Sequence, residues 1–307
     1  MNETADQRDA NCATDILHRG LLFLGFGVGR QARSKLTTKI DWFRSGFGAH
    51  PNTVQTIIAM LEEHTKKQIC SSDALLAFNW LKCDDTEKIL AGRYSLSEKT
   101  VRYKSRGLAE LIQGLYKHMI ELTFDEEVYA LTIDGVNFPT FEFSKDPSAK
   151  YYDHKSHSSG VKYELGVAIH SPRIVWSNGP FPASVHDITV FRGGVVGQNL
   201  SEWDQDALYN QLPHGVKCVG DSGYGGEPNK ILVKKREHSP EFQRFIERAL
   251  SRHESVNKRI KDFKIMRNRF RYGKSTEGRM NLHKTVFQAI LVIIQVEFEN
   301  GQPPFDV

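Results

Sequence analysis

Asp134 closes the run VYALTID, Asp221 closes the run VKCVGD, and Glu254 lies inside a long helical pattern; successive acids are 87 and 33 residues apart. Acids at strand ends stand where α/β sheets bind ligands. Three clustered carboxylates repel one another, so without a counter-charge at least one keeps its proton. Two divalent cations relieve that repulsion, and carboxylates completed by water and phosphate suit Mg²⁺ or Mn²⁺. Such a pair activates a water or a 3′-hydroxyl and stabilises the leaving oxygen of a phosphodiester. The stretch GDSGYGGEP (220–228) also reads as a plain turn, because glycines accept positive φ and Asp and Ser cap turns.

Other residues bear on the same chemistry. Between Arg252 and Lys274 nine basic residues, Lys258, Arg259, Lys261 and Lys264 among them, face two acids, with Phe263, Phe270 and Tyr272 interleaved. That composition serves phosphate neutralisation and base stacking, or a solvated helix end. The polar loop YYDHKSHSSG presents His154, Lys155 and His157 to a substrate; no second ligand pair follows, which argues against zinc. In HDITVFR, His186 is a further candidate, and Asp187 either ligates metal or caps the helix it begins. There is no phosphate-cradling G-x-x-x-x-G-K-[ST] and no G-x-S-x-G.

The elements that must position these residues fall into two zones. From 52 to 118 the periodicity is helical: TVQTIIAMLEEH, then SDALLAFNWLK, then a short helix from Thr86 to Ala91 ending at Gly92. Ser95 or Ser97 caps a longer helix running to about His118, Ser95 forming a capping box with Glu98. Short helix, turn and capped helix resemble a helix-turn-helix, and Arg93, Lys99, Arg102, Lys104 and Arg106 stand there against one acid. Those cations either approach DNA phosphates or form a solvated face. From about 121 the pattern becomes strand, strand, strand, helix, strand, long helix, with a final apolar helix over 282–298. On the long helix Phe242, Phe245, Ile246, Ala249, Leu250, Val256, Ile260 and Phe263 form one stripe that includes His253. Glu254 sits on its shoulder, about 120° from the stripe's centre, with Lys258 and Lys261 on the same side. His253 reads as a core histidine with a hydrogen-bond partner.

The composition, 39% hydrophobic and 25% charged over 307 residues, is that of a globular protein. A net charge of +4 implies no nucleic-acid partner by itself. Four cysteines without a C-x-x-C pair fit a reducing compartment. The apolar run LLFLGFGV (21–28) is too short to span a bilayer, so no membrane role is expected.

The blocks LTIDGVNFP, GPFPASVHDITVFR, VGDSGYGGEP and RHESVNKRIKDF, in that order over 128–273, resemble the DDE transposase-type endonucleases, in particular the PIF/Harbinger-like branch. The resemblance implies an RNase H-like α/β mixed sheet with flanking helices, Mg²⁺ or Mn²⁺, and Asp134, Asp221 and Glu254 as metal ligands. It further implies DNA (transposon ends or target) as substrate, a Myb-like DNA-binding partner, a homodimer that cuts two ends, and a nuclear location, to which VKKRE (233–237) adds little. The expected layout is a loosely ordered arm over 1–37, an all-α helix-turn-helix-like DNA-binding region over 38–120, and the endonuclease domain over 121–303. The rival reading is a transposase-derived DNA-binding protein without catalysis. A two-metal phosphatase acting on small phosphomonoesters is a third, and the basic, aromatic-laced helix end argues against it.

Overall fold

The structure is a computed structural model that describes residues 5–124, 127–142, 149–154, 156–194 and 204–307. It divides into two compact units. The first contains the chain up to Met119, together with Ile260–Asn268 and Thr285–Gln302. It opens with α1 (Ala5–Phe23), α2 (Val28–Arg33), α3 (Leu36–Phe47), α4 (Pro51–Thr65), α5 (Ser71–Cys83), α6 (Glu87–Tyr94), α7 (Glu98–Gly114) and the single turn α8 (Tyr116–Met119).

The amino-terminal segment departs from the loose arm expected. Ala13, Ile16, Leu17 and Leu21 recur at helical spacing within a polar composition, and α1 buries them while packing on α3 and α4. An apolar stripe of that width outweighs the polar average of its segment. The α6–α7 pair has the expected helix-turn-helix order but a different turn. Gly92 lies inside α6, and the chain reverses at Ser95, whose φ of 53 is left-handed. That conformation takes the Ser95 hydroxyl out of capping geometry. Ser97, extended at φ −77 and ψ 152, caps α7 by accepting from the Thr100 amide at 3.1 Å.

The second unit, Ile120–Arg259 with Arg269–Lys284 and Pro303–Val307, is built on a sheet. Its elements are β1 (Tyr129–Pro139), β2 (Tyr152–Asp153), β3 (Ser158–Ala168), β4 (Ile174–Pro182), α9 (Asp187–Arg192), α10 (Leu208–Gln211), β5 (Lys217–Gly220), β6 (Ile231–Val233) and most of α11 (Pro240–Asp262). The short α12 (Lys264–Arg267) belongs to the first unit, and α13 (Thr276–Glu299) contributes residues to both.

Strand β1 lies between β3, antiparallel to it, and β5, parallel to it; β4 pairs antiparallel with the outer edge of β3, and β6 is parallel to β5. Three antiparallel strands continued by two that run parallel with the first form an RNase H-like sheet. Alternation along the strands assigns the faces. Leu131, Ile133 and Cys218 face a core shared with Phe191 of α9, whereas Val219 faces Ile246 and Ala249 of α11. A register shift between Tyr129 and Leu131 puts Tyr129 on the α11 side as well.

Candidate active site between β1 and the turn after β5

Thr132 pairs with Val219 across the parallel β1–β5 ladder. Two residues further along β1 comes Asp134, pointing toward the face that α11 covers; β1 does not end there as the sequence suggested but continues to Pro139, while Asp221 directly follows the last residue of β5. Asp221 is exposed, and its Oδ1 accepts the Gly223 amide at 2.8 Å, closing the turn Ser222–Tyr224. Tyr224 anchors that turn from the opposite face, fully buried beside Phe191. Burial drives the Tyr224 phenol well above its ordinary pKa, and the charges of Glu164, Asp187, Asp134 and Asp221 push the same way. The GDSGYGG stretch is therefore both readings at once, a turn and the setting of a strand-end acid.

Three consecutive polar groups of α11 dock it on the sheet. The Arg252 guanidinium is buried and donates to the carbonyls of Ala168, Ile169 (3.1 Å) and Ser171 (2.8 Å) at the end of β3. The Thr132 hydroxyl donates to the Val167 carbonyl at 3.1 Å, so it accepts from His253 Nδ1 at 2.8 Å, which assigns the tautomer. Asn257 Nδ2 donates to Asp134 Oδ2 at 2.8 Å and orients that carboxylate. These contacts also place Glu254. Arg252 reaches β3, on one side of β1, and Glu254 lies about 200° from Arg252 around the helix. Glu254 is thus on the side of α11 toward β5 and Asp221, exposed, with Lys258 one turn beyond it.

Asp187 does not cap α9. It is the first residue of that helix; the N-cap position belongs to His186, which is exposed and makes no side-chain cap bond. The Asp187 carboxylate instead turns to the sheet, where Oδ1 accepts Lys162 Nζ at 2.6 Å. Glu164, paired with Gly135 across β1 and β3, is buried on the same face and accepts Trp176 Nε1 at 3.0 Å. Burial pushes its carboxyl up to about 8.

The remaining candidates lie elsewhere. His154 packs edge-on against Tyr152, and His157 Nδ1 bonds the Tyr152 hydroxyl at 3.3 Å. His157 lines a cavity of about 370 Å³ with Tyr152, Thr140 and Arg269, past the end of β1 and about 20 Å along the strand direction from Asp134. Lys155 lies outside the described residues. Arg259 donates to the Pro303 carbonyl, and Lys261 and Lys264 fall in the first unit. In the helix-turn-helix-like pair, Arg93 binds Asp85, Arg102 and Arg106 bind Glu87, and Lys104 binds Asp73. Lys99 is exposed, as is Tyr103 at 80%.

The donor set suits a hard divalent cation, since it consists of carboxylates at the rim of a sheet. Among the described residues, no three His, Cys, Asp or Glu side chains stand close enough together to hold a metal ion as they are placed. Sequence reasoning missed Arg252 as a docking group, counting it with the basic run. It also missed Asn257 and Lys162, because an amide or a lysine carries no pattern of its own until its partner is known.

The buried ionisable groups have a consequence for stability. His253, and His283 bonded to the Tyr163 hydroxyl at 2.9 Å, are both pushed down to about 3 by burial. Below pH 6.5 the unfolded chain binds up to two protons that the folded chain refuses, so stability falls with falling pH, by up to about 2.7 kcal/mol per unit. Glu164 acts oppositely: between 4.5 and about 8 the folded chain holds a proton the unfolded chain releases, so stability falls as pH rises. The urea midpoint is expected to peak near pH 6.5, and Glu164→Gln is expected to flatten the alkaline limb, both measured by urea titration across pH 4–9.

Comparison with known proteins follows the same residues. The family model described as DDE superfamily endonuclease matches 133–295, just over half of the chain. No curated protein matches. Among solved structures, the crystal structure of a pre-cleavage Mos1 transpososome is similar at 11% identity, with a TM-score of 0.25, covering 95% of this chain and 98% of that chain.

Proposed function

Given that this chain belongs to the DDE superfamily of endonucleases, we propose that it is a metal-dependent DNA endonuclease of the transposase type, with Asp134, Asp221 and Glu254 as its catalytic acids. The reading rests on one observation: Asp134, in the middle of β1, and Asp221, directly after the adjacent parallel β5, lie on neighbouring strands, and Asn257 of α11, about one turn from Glu254, holds the Asp134 carboxylate. A bound pair of Mg²⁺ or Mn²⁺ ions would supply an activated water or 3′-hydroxyl and charge stabilisation for the leaving oxygen. Asp134 would hold the cations from the middle of β1 and Asp221 from just after β5, and Glu254 would close on them from the helix. Asn257 keeps the Asp134 carboxylate aimed, and Lys258 meets the DNA backbone beside Glu254.

The helical region would bind DNA through the exposed face of α7 at Lys99 and Tyr103, because its other cations already hold the chain's own acids. The glycine-flanked Tyr224 and the basic residues after Glu254 support a Harbinger-like branch for the chain. Within that assignment it acts in the nucleus on transposon ends, as a dimer and with a Myb-like partner. A DNA-binding protein without catalysis is the second reading, favoured by carboxylates that do not already form a coordination sphere.

Supercoiled plasmid incubated with the purified protein in Mn²⁺ is expected to be nicked, and chelation is expected to stop it. Salt-sensitive plasmid binding with no nicking in either Mn²⁺ or Mg²⁺ would establish the second reading.

A further inference from the structure

Asp187 lies on the face of the sheet opposite the Asp134 side chain, yet its carboxylate reaches the backbone beside both Asp134 and Asp221. A Cβ on Gly135, the residue after Asp134, would stand 2.2 Å from Asp187 Oδ1. A Cβ on Gly223 would stand 3.1 Å from Asp187 Oδ2 and 3.0 Å from Asp221 Oδ1. A single carboxylate therefore fills the room that two glycines leave, one on β1 and one in the turn after β5. Its own place is set from behind. Lys162, buried on β3, donates to Asp187 Oδ1 and to the Val185 carbonyl, both at 2.6 Å, tying the start of α9 to the sheet. On the other side of the turn, Arg192 at the end of α9 holds Glu227 at 2.6 Å, so the helix grips the turn at both of its ends.

Accepting Asp134 and Asp221 as the cation-holding acids, we propose that Asp187 is a positioning residue for that site: braced by Lys162, it wedges between Gly135 and Gly223 and sets the spacing between the middle of β1 and the turn after β5. The wedge explains why a side chain on Gly135 would have to displace the Asp187 carboxylate and why a buried lysine sits on β3 with its ammonium turned to the helix start. Supporting groups behind metal ligands commonly change affinity ten- to a hundredfold.

A general electrostatic role would make different predictions. Lys162→Met makes the site more negative, so by Coulomb attraction alone it would bind a cation more tightly. Asp187→Glu keeps the charge and would leave affinity unchanged. The wedge predicts a loss in both, because the brace is removed in one and the longer arm has no room in the other.

The test compares wild type, Asp187→Glu and Lys162→Met, each verified as folded by circular dichroism. Two measurements are made: Mn²⁺ uptake by calorimetry, and amide hydrogen exchange of the metal-free protein over the segment containing Gly223. The expected result is Mn²⁺ affinity about tenfold weaker in either variant, with exchange at Gly223 about tenfold faster. Unchanged uptake in Asp187→Glu, tighter uptake in Lys162→Met, or unchanged exchange in both overturns the wedge. Should wild type take up no Mn²⁺ at all, the metal-site reading fails separately, and the metal-free exchange decides the positioning role. If one variant does not fold, the other carries the same decision.

Discussion

Asp221→Ala is expected to lower Mn²⁺-dependent plasmid nicking by about 10³-fold or more, equivalent to about 4 kcal/mol of barrier, while the protein stays folded. The two effects separate because of where the side chain sits. Asp221 is exposed, and its carboxylate bonds the Gly223 amide in a short turn, so removing it costs stability on the scale of a lost cap, about 1 kcal/mol. Tyr224, fully buried one residue past Gly223, still anchors the turn. Asp134→Asn is expected to match the loss of activity while keeping the size of the side chain that Asn257 contacts. Nicking is measured on supercoiled plasmid, stability by urea titration, and Mn²⁺ uptake by calorimetry on the same preparations. Undiminished nicking in Asp221→Ala would move the chemistry to another part of the protein.

Arg252→Met carries the second large effect, and it is on stability. The guanidinium is 2% exposed and donates to three carbonyls at the end of β3. Methionine fills much of the same volume but leaves those carbonyls without their donor in a buried place, where each orphaned acceptor costs about 1–3 kcal/mol. Partial relaxation brings the expected loss to about 3–5 kcal/mol, read as a lowered urea midpoint. DNA affinity and its salt dependence should be unchanged, because the side chain faces the sheet. Lys258→Ala is the contrast, expected to lower the salt slope of DNA binding by about one with little change in stability. A stability loss below about 1 kcal/mol in Arg252→Met, accompanied by weakened DNA binding, would mean that Arg252 faces the nucleic acid.

The helices and strands were legible because each repeats a local period. The stripe Phe242–Phe263 is visible in the chain and is the face that α11 turns inward, with Ile246, Ala249, Val256 and Ile260 buried. Asp134 and Asp221 stood out as acids that follow alternating runs, but β1 continues past Asp134 to Pro139, because the pattern after Gly135 is also compatible with a strand. What failed was local chemistry with more than one solution. Ser95 and Ser97 both satisfy a capping pattern, and a left-handed Ser95 left the work to Ser97. Asp187 satisfies one too, but Lys162 drew its carboxylate to the sheet. The cations of α6 and α7 read equally as phosphate contacts or a solvated face, and only the fold shows that Asp73, Asp85 and Glu87 hold four of them.

The order and type of the elements and the family membership are properties of the chain read residue by residue, because periodicity and motif spacing are one-dimensional. Which acid faces which side of the sheet depends on strand order, and the β3–β1–β5 arrangement becomes known only when strands distant in sequence pair. The same pairing turned Arg252 from a surface cation into a buried pin and made a wedge of Asp187, Gly135 and Gly223. A charge or a glycine has no role of its own; its neighbours across the fold assign one, and those neighbours are 25 to 88 residues away along the chain.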